Sequence, residues 1–307
     1  MKKIACCLGI GLLLAACFED ETIHADYVDY GRGYDTTSTN PVWKYVSQYY
    51  YKFGKEIILD PDTSDYMFNF QSKNEVRIVP PRQDEAHLSE ALQFLREMFL
   101  DGYSDHVKEK IFPYAVILGD SIINVSSEPY VKMDICTATS YVAFLVNDEM
   151  IGKTEEEKAE LSKQWNITFL NYCFSKIGWT VPESFYLYSN EEYGLRENWW
   201  IPVAGATEDS EPAPLDVVWE RGYPQGTWTW QFAEDWTAPN EYGYSVASSR
   251  ASYLEQFIDF LFSTPQEVID EAIANHEKLR HAHDVLDNAL KEDFGIDYRL
   301  IGYTIKE

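Results

Sequence analysis

The chain has 307 residues, with 25 basic side chains against 51 acidic ones and a net charge of −26. Apolar residues make up 45% and aromatics 15%, enough to bury a sizeable core, which excludes a disordered acidic tail. The charge argues against nucleic acid as a partner, and an anionic bilayer would repel this surface unless a covalent anchor held it there.

Lys2 and Lys3 precede an apolar run from Ile4 to Ala16, followed by Cys17. The run is too short to span a membrane and has the length of a signal-peptide core. Leu14-Ala15-Ala16-Cys17 has the pattern of a lipobox, in which small residues fit the peptidase and the Cys thiol takes a diacylglycerol. Residues 1–16 are therefore expected to be a lipoprotein signal peptide and Cys17 a lipid anchor. An ordinary secretory signal with a coincidental Cys is the plainer alternative. Phe18-Glu19-Asp20-Glu21 resembles the surface-export signal of Bacteroidetes lipoproteins, which implies an outer-membrane protein facing the cell exterior. Residues 17–40 read as an acidic, flexible tether. With Cys17 acylated, Cys136 and Cys173 can form at most one disulfide, and Cys-poor usage favours two buried thiols.

Pro41 to Tyr51 reads as a helix, and Ile57-Ile58-Leu59 as a short strand closed by Asp60-Pro61-Asp62. Leu88, Leu92, Leu95 and Phe99 recur at steps of three and four, which predicts an amphipathic helix over 84–100. Tyr114–Leu118 and Ser140–Val146 are β-rich and predict a small sheet. Glu155–Ile177 is a long helix, opened by a Thr154/Glu157 capping box and stopped by Gly178. Val181 to Tyr244 is irregular and rich in Pro, Gly and Trp. Helices follow over Ser249–Phe262 and, after Ser263-Thr264-Pro265, to about Glu292. Residues 41–307 read as one α+β domain.

Taken in order, several segments resemble a known family. Val42-Trp43-Lys44 through Tyr50, Phe112-Pro113-Tyr114 through Ser121, Thr137 through Asn147, and Phe294-Gly295-Ile296-Asp297-Tyr298-Arg299-Leu300 carry the likeness. The chain resembles the zinc-binding metallopeptidases of Bacteroidetes known as substrate import-associated zinc metallohydrolase lipoproteins, found beside SusC/SusD-type importers. The resemblance implies a zincin-like fold, with a small sheet packed against several helices. It also implies a His-Glu-x-x-His zinc site, in which two His on one helical face hold the metal and the Glu acts as base. The matching positions here are Leu170, Asn171 and Phe174, and no histidine occurs between His106 and His276. Neither apolar side chain has a lone pair for a metal, so zinc is expected to be absent and the member inactivated. Where the family has Glu-Asp-Phe-Ala-Glu, this chain has Glu255-Gln256-Phe257-Ile258-Asp259.

His276-Glu277-Lys278-Leu279-Arg280-His281-Ala282-His283 nearly spells the zinc motif, but the i+4 position is Arg280. Ile269, Ala272, Leu279, Leu286 and Leu290 form a stripe that contains His276 and His283, which predicts core or boundary histidines on one helix. Asp60, Asp62 and Asp65 lack the Gly and terminal Glu of a calcium loop. Trp228-Thr229-Trp230 alternates, so both indoles face one side of a strand, either filling a loop-rich core or stacking on a ligand. The expectation is therefore a surface accessory lipoprotein that binds or presents peptide or glycan to a SusC/SusD-like importer, with Trp228 and Trp230 as ligand contacts and no cofactor. The alternatives are a hydrolase rebuilt on the i,i+4 carboxylates Glu255 and Asp259 and a purely structural importer subunit.

Overall fold

The structure is a computed structural model that describes residues 33–66, 76–126, 128–177, 179–189, 196–233 and 238–303. The expected signal peptide, the Cys17 anchor, most of the tether and the Gly178 stop lie outside these residues. Met1–Tyr34 separates from a second unit, Asp35–Glu307, which holds every element described below.

Helix α1 (Pro41–Phe53) starts where Asn40 accepts hydrogen bonds from the Val42 and Trp43 amides, and it ends at Gly54 in the left-handed region. Strand β1 (Glu56–Ile58) is buried throughout. The acidic run after it turns inward on itself: Asp62 accepts from the Ser64 amide and Asp65 from the Asp62 amide, around a single helical turn. Strand β2 (Val76–Val79) follows, then helix α2 (Glu85–Met98), capped by Asp84. Strands β3 (Ala115–Gly119), β4 (Ser121–Asn124), β5 (Val131–Lys132), β6 (Ile135–Thr137) and β7 (Tyr141–Leu145) come next.

Two sheets arise from these strands. One has the order β1-β3-β7-β6, with β1, β3 and β7 parallel and β6 antiparallel to β7. Its β3 and β7 are buried at every position, as expected of strands covered on both faces. The other is antiparallel, in the order β2-β4-β5.

Helix α3 (Glu155–Ile177) is opened by the predicted box: the Thr154 amide donates to Glu157 and the Glu157 amide donates back to the Thr154 hydroxyl. Its core face carries Trp165, Phe169, Leu170, Cys173 and Phe174. Ser162 and Asn166 are also fully buried, and their polar atoms are satisfied. Ser162 donates to the Met98 carbonyl at 2.5 Å, and the Tyr103 hydroxyl donates to Asn166 at 2.7 Å. The Tyr303 amide donates to Ser162 at 3.0 Å. These bonds fix α3 against α2 and the C-terminal segment, because a slip of register would leave buried donors without partners.

A third sheet joins β8 (Trp200–Pro202), β9 (Thr227–Gln231) and β10 (Glu241–Ser245) in the antiparallel order β8-β10-β9. This corrects two expectations: one small sheet becomes three, and the stretch read as irregular supplies a sheet of its own. Gly243 sits in the central strand. A Cβ there would lie 2.1 Å from the Ile201 carbonyl oxygen, so only glycine allows the strands to approach.

Helix α4 (Arg250–Ser263) packs along α3. Helices α5 (Gln266–Asn275) and α6 (Glu277–Phe294) replace the single helix expected from the sequence. His276 is extended between them, at φ −123 and ψ 101. Ile269, Ala272, Leu279, Leu286 and Leu290 are all fully buried, so the apolar stripe holds across the break. Gly295, left-handed, ends α6.

Candidate functional site

Of the helix positions expected to correspond to the metal motif, Leu170 and Phe174 lie in packed interior. Leu170 is 1% exposed and Phe174 5%, while Asn171 is half-buried. The Phe174 ring lies 4.5 Å from Trp179 and 5.4 Å from Phe294. One turn back, Phe169 sits within 5.0 Å of Phe99 and 4.9 Å of Phe112. Each such ring contributes roughly 1.5–3 kcal/mol by burial, and edge-to-face geometry adds about 0.5–1.5 kcal/mol per pair.

Glu255 and Asp259 lie on α4, but not as a paired acid and base. Asp259 accepts from the Gln225 side-chain amide at 2.5 Å and from the Ser263 hydroxyl at 3.0 Å. Glu255 is exposed and makes no hydrogen bond among the described residues.

The histidines go separate ways. His276 is 3.5 Å from Asp216 and packs its ring against Trp219. It is off α6, so the shared helical face expected for His276 and His283 does not exist. His281 donates to the Ser184 carbonyl at 2.8 Å. His283 is buried between Asp284 at 2.9 Å and the Tyr298 hydroxyl at 3.1 Å. Among the described residues no group of three or more His, Cys, Asp or Glu is placed to hold a metal ion. Cys136 and Cys173 are both buried free thiols. Burial raises the Cys173 thiol to about 12 and also raises Cys136.

The third sheet presents a different surface. Trp228 and Trp230 share one face of β9, as their alternation predicts. Opposite them in the ladder stand Tyr244 and Tyr242. The row is graded from inside to outside. Tyr244 is buried, its hydroxyl donating to the Ala213 carbonyl, and Trp228 meets its ring edge-on at 5.2 Å. At the other end Trp230 is 44% exposed and Phe232, edge-on at 5.0 Å, is 57% exposed. Beside this end Glu241 is paired with Arg196.

The remaining tryptophans of this region differ. Trp200 is buried, and Trp219 donates its indole N–H to the Pro224 carbonyl at 3.1 Å. Trp236 lies outside the described residues. Sequence reasoning missed Tyr242 and Tyr244, although Tyr242-Gly243-Tyr244 alternates with the same period as Trp228 and Trp230.

No family model and no curated protein matches the chain. Among solved structures, a proposed zinc-binding metallo-peptidase from Bacteroides caccae is similar over 87% of this chain and 91% of that one, at 12% identity and a TM-score of 0.46. By its own elements the chain is a mixed α+β protein with small sheets, and no residue role transfers from that structure at this distance.

Proposed function

We propose that this protein is a non-catalytic binding lipoprotein of the outer membrane, facing the cell exterior and presenting a peptide or glycan to a SusC/SusD-like importer. The observation that carries the binding reading is the Trp230 indole, 44% exposed on β9 in an aromatic row whose inner end, Tyr244, is buried. An exposed indole held on a strand matches sugar faces and peptide side chains. The lipobox pattern at Cys17 and the acidic cluster after it support the location. The order of motifs supports a zincin-like ancestry. Leu170 and Phe174 in the positions of the metal-binding imidazoles, and Asp259 held by Gln225 and Ser263, support loss of the hydrolytic role.

Glycan arrays and peptide libraries on the purified protein test the reading. Saturable binding that Trp230→Ala abolishes is the expected result. Absence of binding to either class, together with co-purification of a TonB-dependent porin, would leave a structural subunit instead. Stoichiometric zinc with peptide hydrolysis would overturn the reading.

A further inference from the structure

A concave site lies away from the α3 positions. It is a cavity of about 250 Å³ walled by Leu187, Tyr188, Asn198, Arg221, Tyr223 and Lys278. The volume is at the small end for a small-molecule site. Four sequence-distant segments meet there. They are the turn after Phe185, the residues leading into β8, the Arg221-Gly222-Tyr223 turn and the start of α6.

The walls are tightly built. Gly222 has φ +90, and a Cβ there would lie 3.2 Å from the Cβ atoms of both Lys278 and Tyr188. The turn can carry Arg221 past Lys278 only because residue 222 has no side chain. The Tyr223 hydroxyl donates to the Asn198 carbonyl at 3.0 Å. Tyr188 is held edge-on to the His281 ring at 5.5 Å, and the Lys278 ammonium lies 5.8 Å from the Tyr188 ring.

The charge of this cavity runs against that of the chain. Acids outnumber bases 51 to 25, yet the cavity walls contain two cations and no carboxylate. Several described basic side chains are engaged by acids, as in Arg82–Asp148, Arg96–Asp101, Arg250–Glu183 and Lys291–Asp287. Among the described residues neither Arg221 nor Lys278 makes an ion pair. On a protein whose overall field repels anions, two such cations beside tyrosine rings form a local well for negative charge. A guanidinium grips a planar carboxylate with two parallel hydrogen bonds, and an ammonium adds a point charge. The tyrosine faces and Asn198 suit the polar and apolar sides of a small body attached to that carboxylate.

We infer that this cavity binds a small carboxylate-bearing solute, with Arg221 and Lys278 holding the carboxylate. The inference is independent of the aromatic row on β9. Titration calorimetry of the purified full chain at low salt, with glucuronate, glutamate and neutral glucose, tests it. Saturable binding of a carboxylate but not of glucose is expected, weakening at least tenfold in Arg221→Gln and in Lys278→Gln. Both positions are exposed, so melting temperatures of the variants report directly that the fold is kept. Preference for glucuronate identifies a sugar acid as the source, and preference for glutamate an amino acid. Binding of neither carboxylate, binding untouched in the double variant, or inorganic phosphate binding as tightly as the carboxylates would each overturn the assignment. Trp230→Ala is expected to leave this binding unchanged, which separates its failure from failure of the peptide or glycan reading.

Discussion

Two regions of this molecule use aromatic side chains to opposite ends. Around α3, Phe99, Phe112, Phe169 and Phe174 meet other rings within about 5.5 Å and are buried to 5% exposure or less. On the third sheet the row begins buried at Tyr244 on β10 and ends with Trp230 on β9, 44% exposed. Ring chemistry alone therefore does not separate core from site. Closure does: a ring surrounded by rings contributes packing, whereas a substantially exposed ring such as Trp230 offers surface to a ligand.

The sharpest test of this contrast is to rewrite the α3 positions. Leu170→His, Asn171→Glu and Phe174→His together recreate the metal motif inside packed interior. The triple variant is expected to lose more than about 4 kcal/mol, because it buries polar groups without partners and removes two apolar side chains. Denaturant unfolding measures the loss, and stoichiometric zinc uptake with retained stability would show that these positions are not closed packing. Phe169→Ala is the simpler probe, with an expected loss of about 3–5 kcal/mol in the same assay.

On the sheet side, Gly243→Ala places a methyl group against the Ile201 carbonyl and is expected to cost about 1–3 kcal/mol, with Trp230 fluorescence reporting the disturbed face. An unchanged melting temperature would show that the strands have more room than the geometry allows. Alkaline pH gives a smaller, graded effect. Burial raises the Cys173 thiol from 9.0 to about 12, so the protonated thiol is favoured by folding. That contribution is intact below pH 9 and is lost as pH rises toward 12, where the unfolded chain alone is deprotonated. Cys173→Ala is expected to flatten this part of the stability profile relative to wild type, and Cys173 is expected to resist alkylation at pH 8 until the protein unfolds. The smallest expected stability effect belongs to Trp230→Ala, within about 0.5 kcal/mol, while ligand binding falls at least tenfold. A large loss of stability there would assign Trp230 to the core and erase the contrast.

Much of the helical framework was legible. The helix start near Asp84 and the Thr154/Glu157 box were readable from local spacing, and the stripe from Ile269 to Leu290 from steps of three, four and seven. The break at His276 was not, because Ala274-Asn275-His276 contains neither Gly nor Pro. The third sheet was half legible: Trp228 and Trp230 showed their period, but strands of three to five residues paired across long separations leave little local signal.

By itself the sequence determined the α+β class, the start of α3, the apolar stripe and the absence of imidazoles along α3, since each of these is set by residue type and near-neighbour spacing. Only the tertiary structure decided which rings close and which stay open, and that Arg221 and Lys278 wall the same cavity. Those outcomes depend on contacts between segments far apart in the chain, which no local pattern encodes.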